Sequence, residues 1–276
     1  MEYRIVADCG CDLSKELKEQ MNIALVPLTI NIDGQIFIDD QNLDIKELMY
    51  AMKNSKNYIR TSSPSPADFM KEYEKADNVF VVTLSSKLSG TYNSAIIAKN
   101  TMLESTEKFI HVFDSLNASI GETLVAMKIF ELIQSKCEKF EIIDKVEQYI
   151  DGMKTFFILE SLDNLIKGGR MSKLAGYIAS ALSIKPIMCG DKGTIKLYEK
   201  VRGSKRAFNR LVEIIGEQGL NLEDRVLGIG HCNALKQAED LKEKIKKRYN
   251  FKDIVLIEMA GLTTTYADDG GITIAF

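Results

Sequence analysis

Short β-rich runs alternate with longer amphipathic stretches along nearly the whole chain, and this alternation constrains the fold most. Strand–helix–strand order favours a mostly parallel sheet with helices on its faces. The sharpest instance is Asn78–Leu84, NVFVVTL, a near-continuous apolar run expected of a strand covered on both faces. A hydroxyl-rich loop, Ser85–Gly90, follows it and leads into a helix from Thr91 to about Met102. Tyr3–Ala7 and Phe109–Phe113 read as further strands, and Leu13–Met21, Ser119–Gln134 and Glu141–Asp151 as helices. Ile23–Ile30 and Gln35–Asp39 read as extended segments, after which Asp44 opens a helix through Met52. Ser65-Pro66-Ala67-Asp68 has Ser as N-cap, Pro at the first helical position and an acid at the third, so a helix starts there and runs to about Lys75.

Beyond the strand Thr155–Leu159 the texture changes. Leu162–Lys167 is a short helix ended by Gly168-Gly169, and Ser172–Leu182 is a helix of small and apolar residues. Strands near Lys185–Cys189 and Thr194–Val201 form a hairpin around Asp191-Lys192-Gly193. Two more strand–helix alternations, Arg225–Tyr249 and Asp253–Phe276, finish the chain. The expected class is α/β in two domains. Residues 1–160 would hold a mostly parallel sheet flanked by helices, and residues 161–276 a mixed sheet with helices.

A chain of 276 residues can bury a substantial core. Its 45% hydrophobic and 27% charged residues are those of an ordinary globular protein, and a formal net charge of −3 gives no nucleic-acid footprint. No apolar run approaches a membrane span, and MEYRIVADCG lacks the layout of a signal peptide, so the expected location is the cytoplasm. Five cysteines, an odd count, argue against a disulfide framework.

Four constellations could carry chemistry. Thr61-Ser62-Ser63-Pro64-Ser65 places four hydroxyls just before a helix, either as a capping loop or as a platform for an anion. Ser85–Ser94 follows a buried-looking strand and opens a helix, the place where ligands bind in open α/β sheets. There Ser89 can donate to a carboxylate, Gly90 lets a ligand approach the backbone, and the helix start offers free N–H groups; the other reading is another N-cap loop. The two loops flank one helix–strand unit and could converge on one site. Gly168-Gly169 can cap a helix, and Arg170 beside them could offer a guanidinium to an anion. Lys200–Arg206 is a basic strand-to-helix corner, read as a solvated face or an anion or partner contact.

Other motifs do not complete themselves. Cys9-Gly10-Cys11 has no second cysteine pair at ligand spacing, so no metal is expected. Gly228-Ile229-Gly230 follows a strand, but Asn233 stands where a dinucleotide fingerprint needs glycine. His111 lies in a β-rich run and reads as packed; His231 ends a strand, where a role is open. Nothing places either beside a nucleophilic serine.

Taken in order, several segments resemble the DegV-like fatty-acid-binding proteins of bacteria. They are Asp8–Leu13, Thr61–Ser65, LSSKLSGTYNSA at Leu84–Ala95, Phe113-Asp114-Ser115, Gly168-Gly169-Arg170, Lys185-Pro186, Val201-Arg202 and the Gly-rich close Gly270–Phe276. The resemblance implies a long-chain fatty acid in a tunnel near the domain junction, no cofactor, and no catalysis by the chain alone. It also implies a partner, a separate fatty acid kinase that phosphorylates the presented carboxylate. By the same resemblance Thr61 and Ser89 hold the carboxylate, with Ser62 and the Gly90 N–H beside them. Arg170 and Arg202 lie near its mouth or on the kinase-facing surface. Where the family places a histidine near the C-terminus, this chain has Tyr266, or Thr265 on the alternative alignment, and two acids replace the Gly-Pro that follows. A tyrosine hydroxyl still donates to a carboxylate but carries no imidazolium charge. The departure bears on kinase coupling more than on ligand binding.

The helix Leu174–Leu182 is a candidate tunnel wall or an ordinary core helix. Two rival functions remain in view: an acyl or phosphoryl transferase acting alone through Ser89 or His231, and a lipid-sensing regulatory protein. The regulatory reading lacks a basic recognition helix, since Lys242–Lys247 reads as a solvated face.

Overall fold

The computed structural model describes residues 3–171 and 184–276. The expected helix 172–182, with its candidate tunnel wall, lies outside the described residues. Three sheets organise the rest. The first is fully parallel, in the order β2 (Ala24–Val26), β1 (Tyr3–Asp8), β6 (Asn78–Thr83), β7 (Phe109–Asp114). The second has six strands: β10 (Thr194–Arg202), β9 (Ile184–Asp191), β8 (Thr155–Ile158), β13 (Ile272–Ala275), β11 (Val226–His231) and β12 (Asp253–Glu258). Only β11 and β12 run parallel there, so this sheet is mixed.

β6 shows why an unbroken apolar run is needed in the first sheet. Phe80 and Val82 pack under the helices Ile120–Gln134 and Lys139–Gly152. Val79 and Val81 pack on the other face against the helices Pro66–Tyr73 and Thr91–Leu103. All four are fully buried, so neither face tolerates a polar alternation.

The expected single extended segment Ile23–Ile30 is two strands. Val26 ends β2, and Thr29 starts β3 (Thr29–Ile32) in a separate antiparallel sheet with β4 (Gln35–Ile38) and β5 (Arg60–Ser62). Asp33 and Gly34, both at positive φ, make the β3–β4 turn. Period-2 alternation sends Ile30, Phe37 and Ile59 inward onto Leu48, while Ile36 and Ile38 face out. Thr61 therefore lies on a strand rather than in a loop.

The helix Ile120–Gln134 lies between the two large sheets. Val125, Ala126 and Ile129 face the first, and Ile120 and Leu124 face the second. Gly228 and Gly230 exist for this approach: a Cβ on Gly228 would stand 2.3 Å from Ile120 Cγ1. The Gly-Ile-Gly run is thus a packing feature. Thr155–Ile158 already pairs with β13 and β9, so the chain changes sheets ahead of Thr155.

Candidate ligand-binding site

Between one face of the six-stranded sheet and the loops beyond the first sheet lies a cavity of about 930 Å³, counting its open mouth. Phe157, Thr155, Thr273 and Gly190 give it a floor from β8, β13 and β9. Leu28, Leu84, Leu88 and Leu116 come from the first sheet's loops, and Met259, Leu262 and Tyr266 from the segment after β12. Several lining hydroxyls turn away from the space. Ser119 and Thr263 both donate to the buried Asp12 carboxylate, at 2.6 and 2.7 Å, and Thr194 donates to the Asp191 carbonyl. The cavity is therefore greasier than its residue names suggest.

Four of the residues singled out from sequence reach it: Thr61, Ser89, Arg170 and Tyr266. Thr61 Oγ1 lies 2.7 Å from Tyr266 Oη. Ser63 Oγ lies 3.2 Å from Ser89 Oγ, and Ser89 Oγ lies 2.8 Å from Thr91 Oγ1. The two hydroxyl loops thus meet at one edge of the cavity, across 26 residues of sequence. Each of these hydroxyls can turn its proton toward a ligand oxygen. The helix behind them starts at Gly90, which has no side-chain cap. Its first turn carries no acidic residue, so the partial positive end is uncompensated there.

Four named residues do not line the cavity. Ser62 follows the strand alternation to the outer face of the small sheet and is exposed. Gly90 is exposed at the rim, where a Cβ would approach Ser63 Oγ at 3.3 Å. Thr265 is buried and its hydroxyl donates to the Gly261 carbonyl. Between Tyr266 and Thr265, the position facing the cavity is Tyr266. Arg202 ends β10 opposite Ile184, eight residues from the lining Thr194, roughly 26 Å along the strand. It stands exposed.

Arg170 is committed mostly to its own scaffold. Nε donates to the Leu88 carbonyl at 3.1 Å and Nη1 to the Gly168 carbonyl at 2.7 Å. The guanidinium also lies 5.2 Å from the centre of the Tyr266 ring. It ties the Ser89 loop to Tyr266 while keeping its positive charge at the site.

The histidines are elsewhere. His111 packs edge-on to Phe113, and burial with Lys99 nearby lowers it to about 4. His231 is buried and accepts from the Ala234 N–H at the turn after β11. Neither lines the cavity. All five cysteines are free. Among the described residues no group of three His, Cys, Asp or Glu could hold a metal ion, and no helix is long and apolar enough to cross a membrane.

Sequence reasoning missed the buried acids beneath the site. Asp8 accepts from the Gly10 and Leu84 N–H groups at 2.8 and 2.7 Å, which sets the start of the Ser85–Gly90 loop. Asp12 accepts from Ser119, the Ala260 N–H and Thr263. Burial pushes both acids up to about 7 against the pull of those donors. The only signal in the sequence was acids at the ends of apolar strands, whose donors lie up to 251 residues away.

The model of the DegV family matches residues 2–276. A DegV domain-containing protein of Streptococcus pyogenes serotype M1 is 36% identical, over all of this chain and 99% of its own. A crystal structure of a DegV-family protein from Ruminococcus gnavus, described with vaccenic acid, is 38% identical with a TM-score of 0.95, over 99% of both chains. The Streptococcus pneumoniae fatty acid kinase B3 protein, loaded with linoleic acid, is 32% identical with a TM-score of 0.92, over 100% of this chain and 99% of that one. Matched by the family model over residues 2–276 and 36% identical to the streptococcal relative, the protein belongs to the DegV family.

Proposed function

We propose that this protein binds a long-chain fatty acid and presents its carboxylate to a separate kinase. The acyl chain fills the cavity, and the carboxylate sits on Thr61, Ser89 and Tyr266, with the Arg170 charge beside it. The observation that carries this reading is a leucine-rich cavity that Thr61, Ser89 and Tyr266 line, with Thr61 bonded to Tyr266 and Ser89 to Ser63 and Thr91. Burying each methylene contributes roughly 0.8 kcal/mol, and a carboxylate without donors would cost several kcal/mol. The hydroxyls remove that cost. The fatty acids named with the Ruminococcus gnavus and pneumococcal structures support the ligand class, and the name of the latter supports a kinase partner.

A carrier role also fits what surrounds Ser89. Its hydroxyl is partnered by Ser63 and Thr91, with no histidine to take its proton. The kinase would supply the phosphoryl group, and the carboxylate oxygen at the open edge would receive it.

Extraction and mass spectrometry of the purified protein should return a long-chain acid. Delipidated protein should rebind it without turnover. Thr61→Val and Tyr266→Phe should each weaken binding of the acid roughly tenfold while barely changing that of the matching fatty alcohol. Delipidated wild type with no affinity for any long-chain acid would sink the reading.

A further inference from the structure

Thr61 and Tyr266 meet from opposite ends of the sequence, so something must hold their two elements in register. Thr61 is on β5 of the small sheet, and Tyr266 is near the end of the helix Gly261–Ala267. Asp39 stands where these elements join. It follows β4 directly, and its carboxylate accepts from the Gly261 N–H at 3.0 Å and the Leu262 N–H at 2.7 Å. The Asp39 N–H donates to the Leu28 carbonyl, and the Leu28 N–H in turn donates to Cys9 Sγ just past β1. Asp39 is 5% exposed, so the Gly261 and Leu262 donors stand in for water.

The register closes a frame. Ile38 and Ser62 both pair with Thr29, so Asp39 and Thr61 stand two strand spacings and two residues of strand apart, roughly 12 Å. From Gly261 to Tyr266 is five helical residues, about 7.5 Å of rise. Asp39 to Gly261 forms one joint of this frame and Thr61 to Tyr266 the other. The first joint is tight. A Cβ on Gly261 would meet Asp39 Oδ1 at 2.7 Å and Leu43 Cδ2 at 2.2 Å. At its far end the helix is steadied by the Asn164 side chain on the Thr265 carbonyl.

We propose that Asp39 is the positioning residue of the headgroup site, joining the sheet that carries Thr61 to the helix that carries Tyr266 so that their hydroxyls converge. It touches no ligand and acts through Tyr266. An aspartate suits the joint because one carboxylate accepts from two adjacent N–H groups at a helix start. An asparagine there turns an N–H₂ toward one of those donors.

The affinity arm of the test rests on the fatty-acid reading above; the spectroscopic arm rests on geometry alone. Asp39→Asn, Tyr266→Phe and the double variant are compared for affinity toward one long-chain acid. Each single change should weaken binding roughly tenfold, and the double variant should be no weaker than the weaker single. Simple addition of the two losses would overturn the proposal, since Asp39 would then act independently of Tyr266. In parallel, ligand-free protein carrying tyrosine labelled with carbon-13 at Cζ is examined by NMR. The Tyr266 resonance, assigned by its loss in Tyr266→Phe, should move in Asp39→Asn toward its position in Thr61→Val. An unmoved resonance in folded protein overturns the proposal even if no fatty acid binds. Gly261→Ala pushes on the same joint without altering Asp39 and should shift the resonance in the same direction. It keeps the test decisive should Asp39→Asn not fold.

Discussion

Glu122 sits on the helix Ile120–Gln134, wholly out of water, and neither of its carboxylate oxygens makes a hydrogen bond. Burial, with Asp8, Asp12 and Asp114 nearby, raises its proton affinity well above the ordinary carboxylate range. Asp8 and Asp12 are pushed in the same direction, up to about 7. The sign of the consequence is fixed. The folded state holds protons that the unfolded chain releases at pH 4 to 5. The stability that these three groups contribute is therefore greatest below that range and falls as pH rises toward 7 and beyond. Urea denaturation across pH 5 to 8 should show this decline. Glu122→Gln should flatten the slope, leaving the part due to Asp8 and Asp12; an unchanged slope would mean that Glu122 is not protonated in the fold. At this scale the sequence was half legible. Thr61 and Ser89, which line the cavity, were named by the family resemblance, because a hydroxyl cluster beside a helix start reads equally well as a cap. The buried acids could not be read, because what separates a buried from a surface aspartate is a set of donors, and those of Asp39 lie 222 and 223 residues away.

Element by element, the strands that span a core were visible; of the short ones, β4 was read at Gln35–Asp39, β3 was merged with β2 and β5 was read as a loop. β6 and β7 are buried on one or both faces, so hydrophobicity marks them; β3 to β5 have only three or four residues each and share half of their side chains with solvent. The Thr61 segment was read as a loop for that reason, although its pairing with Ile30 is what aims Thr61 inward. Gly228-Ile229-Gly230 posed the opposite difficulty, because glycines after a strand suggest a phosphate loop when the contact they serve is with a distant helix. That contact makes a prediction. Gly228→Ala puts a methyl group into Ile120 Cγ1, so the helix shared by the two large sheets must shift. Overpacking of this kind costs about 1–3 kcal/mol. A lower urea midpoint at an unchanged slope is expected, with Gly34→Ala as a comparison in open space that reports only the cost of a positive φ. Equal losses in the two variants would remove the packing argument.

The whole molecule places its cavity where neither large sheet could enclose it alone. Leu28, Leu84 and Ser89 belong to loops of the first sheet, Phe157 and Ile195 to strands of the second, and Tyr266 to the helix that Asp39 and Arg170 tie back to the first. An acyl chain in this space touches both parts at once and replaces solvent between them, so its binding energy adds to the stability of the assembled fold. At a free ligand concentration of a hundred times Kd the gain is about 2.7 kcal/mol. For a chain of this size that is a rise in melting temperature on the order of 5–10 °C. Calorimetry of delipidated protein with and without a long-chain acid should show such a rise, in a single transition, growing with ligand concentration. The methyl ester of the same acid keeps the apolar contacts but loses the carboxylate that the hydroxyl edge and Arg170 would favour, so its effect should be distinctly smaller. Equal shifts from acid and ester would leave the cavity as the ligand's only hold and deny the hydroxyl edge its part in recognition.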